Sequence, residues 1–464
     1  MPTDVERDKR ELDSYREKCL RWTARCAWYN THYWHDEFRK MGWTPDDMQN
    51  FSMKHHYKIP VLTRKIARAN QDLGAGVFRL STISPEEAYL VATECGTHAD
   101  PVIYMKSNDD RWQWMYKQVP RIYHAAGLVQ QERVGVVFPF VAAKVNIAGR
   151  EVITKALAGR TFEDGLLATG CIPARREYSL EGAEGEKKVT VLTGHSSRIN
   201  KYAEAMLDND NDPAGLGIKK LVVNGEPYGV FEGHLAELFN VERNQVYNFE
   251  AEAGSLATAY ECKVHNGWHV NPSVLVEVTD TDTGEVLEPG KTGDITLTTL
   301  AEPGFLPGMV HFRRATPYKR TKRLYEQKCE CGRVTERISP IQTINEKRPM
   351  ISVVALEPKY FMQRAAANHL ADLISLKGMH SEVRRTPTPG RRVAERMEEA
   401  IVFEVEPKNG VTPEQQDFIK GKLTEVDMFL KVVYKMNLGT IDFNGLSSHD
   451  GEKKSNGATA ENGG

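Results

Sequence analysis

Between residues 88 and 224, short runs of strand-forming apolar residues alternate with stretches of helical spacing, and few folds accommodate that alternation. Residues 88–92, 134–138, 189–193 and 220–224 read as strands. Residues 111–126 read as a helix kinked or broken at Pro120, which has no N–H to give and whose ring crowds the preceding turn. The alternation predicts an α/β layer architecture.

The pattern changes further on. Residues 273–279 and 294–299 are rich in β-branched residues, with turn signals at Thr283-Gly284 and Pro289-Gly290, and read as a small antiparallel sheet. Residues 340–349 are polar and irregular, as expected of a hinge. Beyond them, strand patterns at 400–405 and 429–434 flank a helical pattern at 413–423, as in a separate small α+β domain. The expected organisation is an N-terminal α/β domain over 1–345, a C-terminal mobile domain over 346–446 and a disordered tail over 447–464 without an apolar anchor. At the other end, residues 1–50 are helical in pattern and crowded with aromatics; Trp34, Phe38 and Met41 recur at helical spacing, so one face is expected to be buried.

Composition narrows the function classes. A chain of 464 residues is too long for one core and suggests two or three domains. A formal net charge of −2 gives no electrostatic reason to invoke nucleic acid or an anionic membrane. No apolar run reaches the ~18–20 residues that span a bilayer, and residues 1–20 lack the apolar stretch of a signal peptide, so the expected location is the cytoplasm. The seven cysteines, an odd count, argue against a disulfide framework and point instead to metal ligands, catalytic thiols or small buried groups.

Several segments, in order and at matching spacing, resemble the phenylacetate–coenzyme A ligase branch of the adenylate-forming enzymes. Ile59-Pro-Val-Leu-Thr-Arg-Lys65 looks like the early F-P-F-T-T-K segment, and Val189-Thr-Val-Leu-Thr-Gly-His195 like P-T-V-L-x-G-x-P. Gly225-Glu226-Pro227 resembles G-A-E-P-W. Thr283 to Asp294 is similar to T-G-E-x-L-x-P-G-x-x-G-E, and Cys329-Glu-Cys-Gly-Arg333 to C-P-C-G-R. The resemblance covers roughly residues 25–345 and implies a large N-terminal α/β domain with a small mobile C-terminal one. It also implies an activity: a carboxylic acid, here an aromatic one, is activated with ATP as an acyl-adenylate and passed to coenzyme A. An amide-forming synthetase, an acyl transferase and a non-catalytic binding partner on the same fold are the alternatives. A homodimer is the family expectation.

Carried over by the resemblance, Gly96 and Thr97 would belong to the phosphate loop, in which Asp100 stands where the family has lysine and Ala99 where it has a second glycine. Gly225, Glu226 and Pro227 would lie along adenine, with Tyr247 beside them and Phe249 at the stacking position. Glu252, or alternatively Glu250, would be the catalytic carboxylate that holds Mg2+. Thr316 occupies the place of the ribose-binding aspartate and lacks its second oxygen. Phe138 and Phe140 end a strand where α/β enzymes bind ligands and could stack on an aromatic acid. Lys453 and Lys454 lie near the expected place of the C-terminal lysine, in the polar tail.

A second, independent signal is the set Cys262, His269, Cys329 and Cys331, with His265 as a competing nitrogen donor. Three thiolates and one imidazole suit tetrahedral Zn2+, and a closed four-ligand site is structural because no position remains for substrate.

Overall fold

A computed structural model describes residues 4–72, 74–93, 102–138, 142–147, 149–155, 157–175, 188–224, 229–251, 255, 257–324, 328–343, 350–351, 354–355, 370–408, 411–425 and 440–444. Two compact units emerge. Among the described residues, the first takes in those up to Thr343 together with Gly390–Ala394, and the second holds the rest.

In the first unit, α1 (Lys9–Asn30) starts at Asp8, whose carboxylate accepts from the N–H groups of Arg10 and Glu11. It stops at Thr31, whose N–H reaches back to Ala27 and whose hydroxyl caps α2 (His32–Lys40) by accepting from the Trp34 N–H. The expected apolar face is present: Trp34 and Phe38 are fully buried and Met41 packs at their margin. Trp34 meets Phe312 edge-on at 5.1 Å, and its indole N–H donates to the Val310 carbonyl at 2.9 Å.

The helix expected over 111–126 is three pieces in tandem. α3 (Asn108–Gln113) is followed by one π turn, Trp114–Gln118, and then by α4 (Val119–Ala125). Pro120 cannot donate to the Tyr116 carbonyl, and the wider turn before it makes room for the ring without ending the helical run. Here the sequence expectation of a kink is met by a π turn.

Five strands form a parallel sheet: β1 (Arg133–Val137), β2 (Ile172–Arg175), β3 (Val191–His195), β4 (Lys220–Asn224) and β5 (Val246–Glu250). Their spatial order is β2-β1-β3-β4-β5. α5 (Leu157–Ala168) lies in the connection from β1 to β2, α6 (Ser196–Leu207) in that from β3 to β4, and α7 (Glu232–Phe239) in that from β4 to β5. The chain goes to one side of β1 for β2, then to the other side for β3. The topological switch point therefore lies between β1 and β3. α5 sits tightly against α4, since a Cβ on Gly165 would come within 2.2 Å of Val119 Cγ1.

Past β5 the sheet turns antiparallel, through β6 (Ala259–Tyr260) and β7 (Trp268–Val270). The expected small sheet follows. β8 (Val274–Thr279), β9 (Thr292–Thr299) and β10 (Arg314–Lys322) are antiparallel neighbours, with a register shift between Asp294 and Ile295. Gly284 and Gly290, at φ 70° and 87°, turn the chain between β8 and β9 as the sequence foresaw. β11 (Arg337–Ile338) returns to the edge of β7, and β12 (Gln342–Thr343) completes the small sheet beside β10.

The second unit is built on a long hairpin of β13 (Ile374–Pro387) and β14 (Glu395–Pro407), with β15 (Thr440–Asn444) parallel to β14. Ala400, Ile401, Val402 and Phe403 are buried in succession, as fits a strand covered on both faces, and Ile419 and Leu423 of α8 (Pro413–Glu425) are buried too. The strand expected at 429–434 and the tail, with Lys453 and Lys454, lie outside the described residues. No helix among the described residues is long and apolar enough to cross a membrane.

Three histidines of the first unit are buried: His56, His195 and His311. Burial draws His56 down to about 3, with the Arg313 charge adding to it, and draws His195 down to about 4. His311, with neither ring nitrogen hydrogen-bonded, is pushed well below the ordinary value by burial and by Lys106 and Arg314. An unfolded chain protonates these rings near pH 6.5, whereas the native one does not. Native stability should therefore be full above that pH and fall as pH drops from about 6.5 toward 4, because the unfolded state binds more protons. Urea unfolding followed against pH should show this slope, and His56→Gln should reduce it by about one proton. An unchanged slope in the variant would show that His56 charges freely in the native protein.

Candidate functional site

The ends of the parallel strands place four side chains in one row. Val137 is in register with Gly194, His195 with Asn224, and Asn224 with Phe249. The next residue after β1 is Phe138, so Phe138, His195, Asn224 and Phe249 cross the carboxyl edge of the sheet at one level. Phe162 of α5 closes over them, with its ring 4.4 Å from Phe138 and 5.1 Å from Phe249, centre to centre. Phe138 meets the His195 ring edge-on at 5.3 Å. Phe138 and His195 flank the switch point, where open α/β sheets take their ligands. The sequence reading had Phe138 and Phe249; it missed Phe162 and His195. Strand register brings His195 into the row, and the packing of α5 brings Phe162.

At the antiparallel end of the sheet, Cys262, His269, Cys329 and Cys331 converge, with all four ligand atoms within 4.8 Å of one another. The Cys262 and Cys329 sulfurs are 3.8 Å apart, and Cys331 Sγ is 3.4 Å from His269 Nε2. A tetrahedron with metal–sulfur bonds of about 2.3 Å has edges of about 3.8 Å, so the cluster has the size of a four-coordinate metal site. A hydrogen bond between Cys262 and Cys331 raises the first thiol and holds the second far below the usual thiol range. Burial disfavours a charged His269, but hydrogen bonds to Cys329 and Cys331 and their negative charge outweigh it. The competing donor, His265, lies apart from it. Its Nε2 pairs with the Asn244 carbonyl at 2.8 Å and its ring stacks on Tyr247.

Around the cluster an outer layer fixes the ligands. His269 Nδ1 is 2.9 Å from the Thr335 hydroxyl, which orients the ring so that Nε2 faces the sulfurs. Arg333 donates to Cys331 Sγ at 3.6 Å and to the Glu6 carboxylate at 3.1 Å. Glu6 also accepts from the Tyr260 hydroxyl, and its carbonyl accepts from the Val334 N–H. The N-terminal turn is thereby bound to the cysteine loop.

No protein-family profile matches the sequence, and no curated protein does. Solved structures do. A 2-hydroxyisobutyryl-CoA ligase, crystallised with 2-HIB-AMP and CoA in the thioesterification state, superposes with a TM-score of 0.69 at 16% identity, over 96% of this chain and 90% of that one. The same ligase in an open conformation gives 0.57 at 15% identity, over 95% and 90%.

This is the adenylate-forming fold. Within it, Tyr247 and Phe249 lie on β5, Phe249 in the aromatic row and Tyr247 against His265. Glu250, the alternative metal carboxylate, is engaged by Lys319 at 3.1 Å, both side chains being largely buried. Thr316 sits in β10 with its hydroxyl donating to the Ile295 carbonyl at 2.8 Å, a bond made within the small sheet. Gly96, Thr97, Ala99, Asp100, Phe140, Gly225, Glu226, Pro227 and Glu252 lie outside the described residues.

Removing the Glu6 carboxylate would leave Arg333 buried without its counter-charge. Glu6→Ala should cost about 3–5 kcal/mol in urea unfolding. A cost under about 1 kcal/mol would mean that Arg333 finds equivalent partners and that the N-terminal turn is not held by this pair.

Proposed function

We propose that the protein activates a carboxylic acid as an acyl-adenylate and transfers the acyl group to a thiol, coenzyme A being the expected acceptor. The observation that carries this reading is the match in fold, along 96% of the chain, to a ligase crystallised with an acyl-AMP and CoA. In the reaction, a carboxylate oxygen attacks the α-phosphorus of ATP and pyrophosphate leaves. The thiolate then attacks the acyl carbon and AMP leaves. A carboxylate is a poor electrophile, and the phosphate ester makes it a good one.

The chain's own residues would divide the work as follows. Gly96 and Thr97 approach the phosphates, Gly225, Glu226 and Pro227 line adenine beside Tyr247, and Phe249 offers a ring face to the base or the acid. Glu252 is the carboxylate left to hold Mg2+, since Glu250 already pairs with Lys319. Magnesium, when bound, would offset phosphate charge. The aromatic row supports an aromatic acid as substrate. The cysteine–histidine cluster would hold Zn2+ through Cys262, His269, Cys329 and Cys331, away from the chemistry and with no position left for substrate.

Two positions favour altered handling of the nucleotide: Asp100 in place of the phosphate-loop lysine, and Thr316, whose hydroxyl is already bonded to Ile295. They keep a second reading alive, in which the fold serves amide formation, acyl transfer from another donor or binding alone.

Acid-dependent release of pyrophosphate from ATP, over a panel of aryl, arylacetic and short aliphatic acids, tests the first reading. Release is expected with at least one aryl acid, and thioester formation is expected to require coenzyme A. No release with any acid, together with no thermal stabilisation by ATP and magnesium, would favour the second. For the metal, one zinc per chain is expected, and Cys329→Ser should lower metal content and unfolding temperature together. An unchanged zinc stoichiometry would remove the assignment.

A further inference from the structure

The cysteine loop connects the four-ligand cluster to the N-terminal turn, Asp4–Glu6. Three thiolates and a neutral imidazole around Zn2+ leave one negative charge in excess. Cys262, His269 and Cys329 are buried, so water screens that charge little. The backbone N–H groups of Val264, Cys331 and Arg333 donate to the sulfurs of Cys262, Cys329 and Cys331, each two residues earlier. Cys331 also receives a cation, since Arg333 Nη1 lies 3.6 Å from its sulfur. Among the described residues the buried guanidinium has one other hydrogen-bond partner, the Glu6 carboxylate, which accepts from Nε at 3.1 Å; Nη2 is buried without a partner. Tyr260 donates its hydroxyl to the same carboxylate, with its ring centre 5.9 Å from the guanidinium carbon.

The backbone repeats the connection. The Arg333 carbonyl accepts from the Cys329 N–H at 3.1 Å, and the Val334 N–H donates to the Glu6 carbonyl at 2.8 Å. One short segment, residues 329–334, therefore holds two metal ligands and both contacts to Glu6. A metal bound to Cys329 and Cys331 fixes that segment to Cys262 and His269. The segment then sets where Arg333 and Val334 meet Glu6.

Resting on the assignment of zinc to this cluster, we infer that zinc retention and docking of the N-terminal turn are one coupled equilibrium, with Arg333 as the positioning residue that links them. One arm of its guanidinium offsets the excess charge at Cys331 Sγ, and the other holds Glu6. The coupling is reciprocal: whatever the docked turn contributes to keeping zinc, zinc contributes to keeping the turn.

The test uses the full zinc-loaded chain. It reads zinc affinity by competition with a chromogenic chelator, and amide hydrogen exchange of residues 4–12, 220–224 and 329–336 before and after chelation. Arg333→Gln should weaken zinc binding by about 10–100-fold, as loss of an outer partner of a metal ligand does. Arg333→Lys, which keeps the charge but not the fork, should recover part of the loss. In the wild type, removing zinc should speed exchange in residues 4–12 and 329–336 while residues 220–224 of the parallel sheet stay protected. Trp34→Phe removes the indole bond to Val310 without touching Glu6 or the cluster. It should lower the unfolding temperature and leave zinc affinity unchanged, which separates the link from a general loss of stability. Unchanged exchange of residues 4–12 on chelation, or equal acceleration in all three segments, would overturn the inference whether or not the variants fold. Full zinc affinity in folded Arg333→Gln would overturn it too. Each of these results leaves zinc assigned to the cluster, whereas wild-type protein that takes up no zinc removes the assignment and the coupling together.

Discussion

A parallel sheet can be extended only by crossing over, and where the crossovers change sides two neighbouring strands send their chains apart. Here those strands are β1 and β3. At the carboxyl edge the chain leaves these two strands in opposite directions. The side chains at that edge, Phe138 and His195, are the ones that flank the switch point. The rest of the arrangement follows from register. Once Val137 is opposite Gly194, and His195 opposite Asn224, one polar ring is committed to a row of phenyl groups.

Farther along the same sheet the constraint is different. β6, β7 and β11 are two or three residues long and contribute few ladder hydrogen bonds. Strands this short need support from elsewhere. The cysteine–histidine cluster lies among them: Cys262 follows β6, His269 is the middle residue of β7, and Cys329 and Cys331 lie in the loop leading to β11. Glu6, Arg333, Tyr260 and Thr335 then tie that cluster to the N-terminal turn and to the core. One end of the sheet carries the aromatic row and the other the cysteine–histidine cluster, and the two are joined by β5, which carries both Phe249 and Tyr247.

Much of this was legible in the sequence, and the reason differs from element to element. β4 was read to the residue because Lys220–Asn224 is an apolar run bounded by polar turns. β3 was read two residues early, since Val189 and Thr190 have strand character but lead into the sheet. The π turn was not legible: proline announces that regular hydrogen bonding fails, but not how the backbone absorbs it. The four cysteine and histidine ligands could be picked out by type and spacing, yet the choice between His265 and His269 required geometry. Phe162, His195 and the Lys319–Glu250 pair went unread because none belongs to a local pattern. Each acquires meaning only from a partner that the fold brings near.

The N-terminal helices are wedged among residues made far later. Trp34 donates to Val310 across 276 residues, Trp22 to Phe305 across 283, and Glu6 meets Arg333 across 327. During synthesis these indoles emerge first and wait for their cover. At ~5–20 residues per second, the wait is roughly 15–60 s, long compared with the microseconds in which a helix forms. Over that interval α1 and α2 are amphipathic helices with their apolar faces open. The nascent chain thus carries an adhesive segment whose cover is completed only when Phe305, Val310, Phe312 and Arg333 have been made, which makes the first unit's assembly an event of late translation.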